Sequence, residues 1–146
     1  NFKKEKQAGA NDFTKTPAGA PGVEERVRIM FSEGVVKGRI TMPQMVKYLC
    51  TNPCRMYGLY PEKGTLLPGR DADLVILDPN KERTITHADM HSAVDYTAYE
   101  GFHVKGDIDL VMQRGNVIAK DNKFLGKRGD GRYIKRHKSV LAEYDD

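Results

Sequence analysis

The sequence predicts an α+β chain, with three helices in its front half and β-strands behind them. Two shifts support that reading, one in hydrophobic period and one in charge, and both fall near residue 60. Residues 1–60 carry ten basic and five acidic groups, residues 61–126 eight and eleven, and residues 127–146 six and four. The charge balance thus reverses where the apolar spacing turns from helical to strand-like. At 146 residues, 39% hydrophobic and 30% charged, the chain has the make-up of one globular domain with a core. A helical front, a β back and polar ends are an awkward set for one independent domain. They read as pieces of two that meet near residue 60.

Taken in order, residues 1–20 are poor in apolar side chains and close on Pro17-Ala18-Gly19-Ala20-Pro21-Gly22, so they read as a loop or extended arm with Phe2 and Phe13 as anchors. From Val23 the period is helical. Val23, Val27, Met30 and Phe31 share one face, Glu24, Glu25, Arg26 and Arg28 lie off it, and Gly34 is the stop. A second helix starts at Thr41, a cap answered by Gln44, with Pro43 tolerated in the first turn. Met42, Met45, Val46 and Leu49 are its buried stripe. Asn52-Pro53 interrupts or restarts it, giving a short third helix that ends at Gly58.

Beyond Gly58 the expected strands are Thr65–Leu67, then Leu74–Leu77 closed by Asp78-Pro79-Asn80, then an outer strand over 82–86. Residues 87–106 read as polar loops around Tyr96, Tyr99 and Phe102. A hairpin over 109–114 and 116–120 turns at Arg114-Gly115-Asn116, and a second turn at Asp121-Asn122-Lys123 leads into Phe124-Leu125.

Several classes are excluded at once. No apolar run is long enough to span a membrane. A net charge of +4 is too mild to imply nucleic acid. Two cysteines and no signal-like start do not make a disulfide-stapled secreted scaffold. The opening Asn1-Phe2, the first methionine at Met30 and the structureless first twenty residues are expected of a processed or truncated chain.

The residues offer little chemistry by themselves. His87-x-x-x-His91 has the spacing of two ligands on one helical face, but Ala88 stands where a zincin carries glutamate. Cys50 and Cys54 lack a second pair to complete a zinc site, and His103 and His137 are isolated. Ser32, Ser92 and Ser139 sit in no nucleophile elbow. Gly64…Gly69-Arg70 lacks the lysine and hydroxyl of a phosphate loop. Asp71 and Asp73 are expected to hold a turn by accepting backbone N–H bonds. The basic tail, with Lys135-Arg136-His137-Lys138 and Tyr133, could touch nucleic acid or an anionic surface, but the offsetting Glu143, Asp145 and Asp146 favour a solvated terminus or an arm lying on a neighbouring subunit. Composition and spacing contain no active site.

The run Lys63-Gly64-Thr65-Leu66-Leu67-Pro68-Gly69-Arg70-Asp71-Ala72-Asp73-Leu74-Val75 resembles the C-terminal signature of the amidohydrolase superfamily. Phe13-Thr14-Lys15-Thr16-Pro17, Pro21-Gly22-Val23-Glu24-Glu25-Arg26, Thr51-Asn52-Pro53, Gly58-Leu59-Tyr60-Pro61, Asp95-Tyr96, Tyr99-Glu100-Gly101 and Gly129–Arg136 narrow it to the hydantoinase/dihydropyrimidinase branch. The resemblance implies that residues 1–60 end a TIM-barrel domain as its last loop and closing helices. Residues 61–126 would be the C-terminal strands of a β-sandwich, and 127–146 a tail packing on another subunit of a cytoplasmic homotetramer. It further implies a parent enzyme that opens cyclic amides, either 5-substituted hydantoins or dihydropyrimidines such as dihydrouracil. There a hydroxide held by two zinc ions attacks the ring carbonyl. None of the family's metal ligands can be placed in this chain, so the 146 residues alone are expected to be inactive and to hold no zinc. The one substrate contact that falls inside is the main chain at Ala18, where the family commonly has Asn, in the loop Phe13–Gly22 lining the active-site mouth. The alternatives are a non-catalytic dihydropyrimidinase-related scaffold protein and an allantoinase- or dihydroorotase-type cyclic amidase.

Overall fold

The computed structural model describes residues 2–139. The acidic end of the tail, Glu143, Asp145 and Asp146, lies outside the described residues. Among the described residues the chain forms four short α-helices, further 3-10 and π-helical turns and a four-stranded antiparallel sheet, an α+β arrangement as expected.

The first twenty residues depart from an extended arm. They form the short helix α1, Lys3–Lys6, and single turns over Gln7–Gly9 and Phe13–Lys15. Local polar bonds make these turns without an apolar face. The Glu5 carboxylate accepts from the Phe2 N–H at 2.6 Å, and Asp12 accepts from the Thr14 N–H and hydroxyl at 3.1 and 2.6 Å. Phe2 and Phe13 do not anchor anything: they are 50% and 84% exposed.

Helix α2, Arg26–Ile29, widens into a π-helical stretch over Met30–Val36, passing Gly34 and stopping at Lys37-Gly38. Its buried face is not the one that hydrophobic spacing selects. Val23 is exposed, whereas Glu25 and Arg28 are buried beside Phe31 and Ser32. Charged side chains go inside here because specific partners wait for them on the sheet side. Helix α3, Met42–Val46, starts as expected: the Thr41 N–H donates to Gln44 Oε1 at 2.8 Å and Thr41 Oγ1 accepts from the Gln44 N–H at 3.4 Å. It continues as a π turn over Lys47–Thr51 into α4, Asn52–Met56, with Pro53 in the first turn of α4. Met45 is buried, but Met42 and Val46 of the expected stripe are exposed.

The sheet is a meander in the order β1-β2-β3-β4, with β1 Leu74–Thr84, β2 His103–Gln113, β3 Asn116–Lys120 and β4 Lys123–Phe124. Thr65–Leu67 is not a strand: it pairs with nothing in the sheet, and Leu66 and Leu67 lie exposed. The two strands expected over 74–77 and 82–86 are one. β1 runs through Asp78-Pro79-Asn80 by register shifts at Ile76/Leu77 and between Asp78 and Glu82. Both later turns form as expected, with left-handed backbone at Arg114, Gly115, Asp121 and Asn122.

Helical and β halves meet along one line. Phe31 lies so close to Gly106 of β2 that a β-carbon there would enter its ring. The Ser32 hydroxyl accepts from the Lys105 N–H at 3.1 Å. Arg28 Nε donates to Asp107 Oδ1 at 2.6 Å, and Arg83 on β1 approaches the same carboxylate at 3.2 Å. Phe31, Met45, Ile85 and Val104 are the buried apolar side chains among the described residues. Val75, Ile76, Phe124 and Leu125 on the sheet side, and Val36, Met42, Val46 and Met56 on the helices, are exposed.

Burial alone would push Asp107 up. The Arg28 hydrogen bond, the Ile108 N–H and the charges of Arg28 and Arg83 outweigh it, holding the carboxyl below its usual range. A depressed folded-state value stabilises above the unfolded carboxylate pKa, and the contribution is lost as pH falls through the folded value. Asp107→Asn is therefore expected to lower the unfolding free energy by about 3 kcal/mol at neutral pH. The difference from wild type should narrow below about pH 4. Urea titrations of both proteins on either side of that pH check it, and a pH-independent gap would contradict it.

Candidate functional site

A concavity of about 260 Å³ lies between Ala18, Gly19, Ala20 and Pro21 on one side and Ser92, Val94 and Tyr96 on the other. Neither wall belongs to a helix or strand, so each depends on side-chain bonds to hold its shape.

The first wall is held by Lys6 on α1, whose Nζ donates to the carbonyls of Pro17 and Gly19, the latter at 2.5 Å. Gly19 has φ +89, backbone that a side chain disfavours, and this lets the chain turn between Ala18 and Pro21. Asp12 closes the preceding turn. Its bonds from Thr14 and Lys15 hold its carboxyl below the usual range.

The second wall, part of the long connection from β1 to β2, has four ties. Glu100 accepts from the His87 N–H at 2.8 Å, with the His87 ring Nδ1 at 3.2 Å. Glu24 takes His91 twice: the backbone N–H at 2.8 Å on one oxygen and the ring Nδ1 at 2.8 Å on the other. Asp95 accepts from the Lys3 N–H at 2.8 Å. The Thr97 hydroxyl donates to Glu25, which is only 2% exposed, and accepts from the Tyr99 N–H at 3.2 Å. Adjacent carboxylates just before α2 thus hold two points of one wall.

The expected site residues fall as follows. Ala18 is exposed in the first wall. His87 and His91 lie in a short turn and the loop after it, each facing a carboxylate, and share no helix face. His103 faces Glu82 at 3.2 Å and His137 lies 4.0 Å from Glu62. Among the described residues no three His, Cys, Asp or Glu side chains are placed to hold a metal ion. Cys50 and Cys54 are free, and burial pushes both thiols up, away from the thiolate that a metal takes. The described residues do not fit a two-zinc centre.

Asp73 behaves as expected of a turn holder, accepting from the Arg114 N–H at 2.8 Å, although the turn is the distant hairpin. Asp71 holds no turn: it pairs with Lys63 at 2.7 Å, an ammonium that Asp73 shares, and that bond holds the Asp71 carboxyl low. Ser92 lines the concavity, and the adjacent His91 is engaged by Glu24. Lys6, Glu24, Glu25 and Thr97 were not legible as functional positions. Their bonds span 11 to 72 residues of sequence, and no local spacing encodes them. The one available signal was that the stretches Phe13–Pro17, Pro21–Arg26 and Asp95-Tyr96 converge here.

A model of the Amidohydrolase family matches residues 1–118. The chain is 48% identical to a D-hydantoinase of Geobacillus stearothermophilus, over 99% of this chain and 31% of that protein. Among solved structures, a D-hydantoinase superposes with a TM-score of 0.89 at 50% identity, covering 94% of this chain and 30% of the other. A dihydropyrimidinase from Brevibacillus agri superposes at 0.89 with 44% identity, covering 97% and 30%. The chain therefore spans about 30% of the length of the relatives it matches.

Thr97→Val keeps the shape of that side chain and removes the donor from a buried carboxylate. It is expected to cost about 2 kcal/mol of stability, read as a lower urea midpoint, whereas Thr97→Ser should stay near wild type.

Proposed function

The chain belongs to the hydantoinase/dihydropyrimidinase branch of the amidohydrolase family, and from that membership we propose that it is part of a longer enzyme that hydrolyses cyclic amides. The observation that carries the reading is the superposition on D-hydantoinase at 50% identity and a TM-score of 0.89. The substrates are 5-substituted hydantoins or dihydropyrimidines such as dihydrouracil. Water adds across the ring amide: its oxygen bonds to the carbonyl carbon, the C–N bond breaks, one water proton goes to the departing nitrogen and the other is released as the new carboxyl ionises, so the ring opens into one chain.

In this reading residues 1–60 close a TIM barrel and 61–126 complete a β-sandwich. The exposed apolar side chains of the helices and of β1 are the surfaces on which the rest of those domains packs. Residues 127–146 lie on a neighbouring subunit of a homotetramer. Tyr133, 91% exposed, suits such a contact. His137 is tied back to its own chain, its N–H donating to the Gly58 carbonyl at 2.8 Å. The zinc ions that the family resemblance implies would be held by residues outside this chain. What these residues supply is the mouth: the Ala18 main chain on one wall, and Ser92, Val94 and Tyr96 on the other.

The test is turnover by the full-length protein on a panel of hydantoins, dihydrouracil, allantoin and dihydroorotate. Opening of hydantoins or dihydrouracil supports the reading. Opening of only the last two moves it to the neighbouring cyclic amidases, and no turnover by metal-loaded protein moves it to a scaffold role. Because the contact at Ala18 is main-chain, Ala18→Asn is expected to leave kcat/KM within a few-fold of wild type. Ala18→Pro locks φ and reshapes that main chain, and should lower kcat/KM by about a hundredfold.

A further inference from the structure

We propose that Lys6 is a positioning residue that aims the main chain at Ala18 into the mouth, an inference that rests on the cyclic-amidase reading above. Lys6 donates to the carbonyls of Pro17 and Gly19, one on each side of Ala18. The peptide bonds of this loop are trans, and in a trans peptide the N–H points opposite to the C=O. Drawing the Pro17 carbonyl to the ammonium therefore turns the Ala18 N–H away from Lys6, and drawing the Gly19 carbonyl turns the Ala20 N–H away likewise. Ala18 and Ala20 both line the concavity.

Lysine suits this task. Its ammonium has three donors and no acceptor, so it can bind two carbonyls at once through charge-assisted bonds. Gly19 supplies the backbone freedom between them, at φ +89. The helix that carries Lys6 is itself tied to the opposite wall, since the Lys3 N–H donates to Asp95 at 2.8 Å. Helix α1 thus bridges the mouth, fixing the Ala18 loop at its last residue and the Asp95-Tyr96 segment at its first. A shift of this helix would move the two walls relative to each other.

The experiment compares wild type, Lys6→Met and Lys6→Arg in the metal-loaded full-length protein, by turnover and by amide hydrogen exchange. Lys6→Met keeps the length of the side chain without a donor, and Lys6→Arg restores donors. Lys6→Met is expected to lower kcat/KM by about 30-fold through mispositioning, with bound metal unchanged. Exchange should quicken at residues 18–20 and stay as in wild type in the sheet. Lys6→Arg should recover much of both. Turnover of Lys6→Met within about threefold of wild type would overturn the proposal, as would unchanged exchange in the loop. Loss of protection throughout the sheet would make Lys6 a general structural residue and overturn it too. If wild type opens no cyclic amide, the functional reading fails on its own, and the exchange comparison still decides whether Lys6 orders the loop.

Discussion

The Asp107 carboxylate is where the two halves of this chain are joined. It receives Arg28 from the helical half and Arg83 from the neighbouring strand, and the Ile108 N–H donates to it at 2.8 Å. Burying charge is costly unless each charge finds a partner, so this cluster constrains the docking of α2 on β2 more tightly than apolar contact could. The apolar core beside it is small, with Phe31 over Gly106 and the buried Val104 two residues earlier in the strand. Apolar burial is non-directional. It draws the helix to the sheet, and the ion cluster selects the register.

The site follows from that docking. Once Arg28 is fixed on β2, Glu24 and Glu25 sit one turn earlier and reach the connection between β1 and β2. Glu24 takes His91 by two bonds and Glu25 takes Thr97 in a buried contact. The same residues that lead into α2 follow directly from the Ala18 loop, so one short stretch carries the first wall and grips the second. The long connection, which has no regular structure of its own beyond a single turn, is shaped from outside.

Much of the fold was legible locally. The Thr41 and Gln44 capping box, the hairpin at Arg114-Gly115 and the turn at Asp121-Asn122 are interactions between residues within a few positions of each other. Their geometry therefore follows from residue type and spacing. Hydrophobic period misled at Val23, Glu25 and Arg28, because it treats charge as surface and cannot know that a partner lies 79 residues away. It also misled at Thr65–Leu67, where strand-forming residues find no strand to pair with among the described residues. At the site, the main-chain role implied for Ala18 came from family resemblance, and no property of an alanine side chain would have marked it.

By itself the sequence determined the family, the change from helices to strands near residue 60 and the turn positions. Those depend on local stereochemistry or on linear motifs. Only the tertiary structure decided that Glu25 and Arg28 are buried, that β1 runs unbroken past Pro79, and that the loop held by Lys6 faces Tyr96 across one concavity. Each of these is a pairing between distant segments. Its free energy belongs to the pair, and neither partner's local sequence carries it.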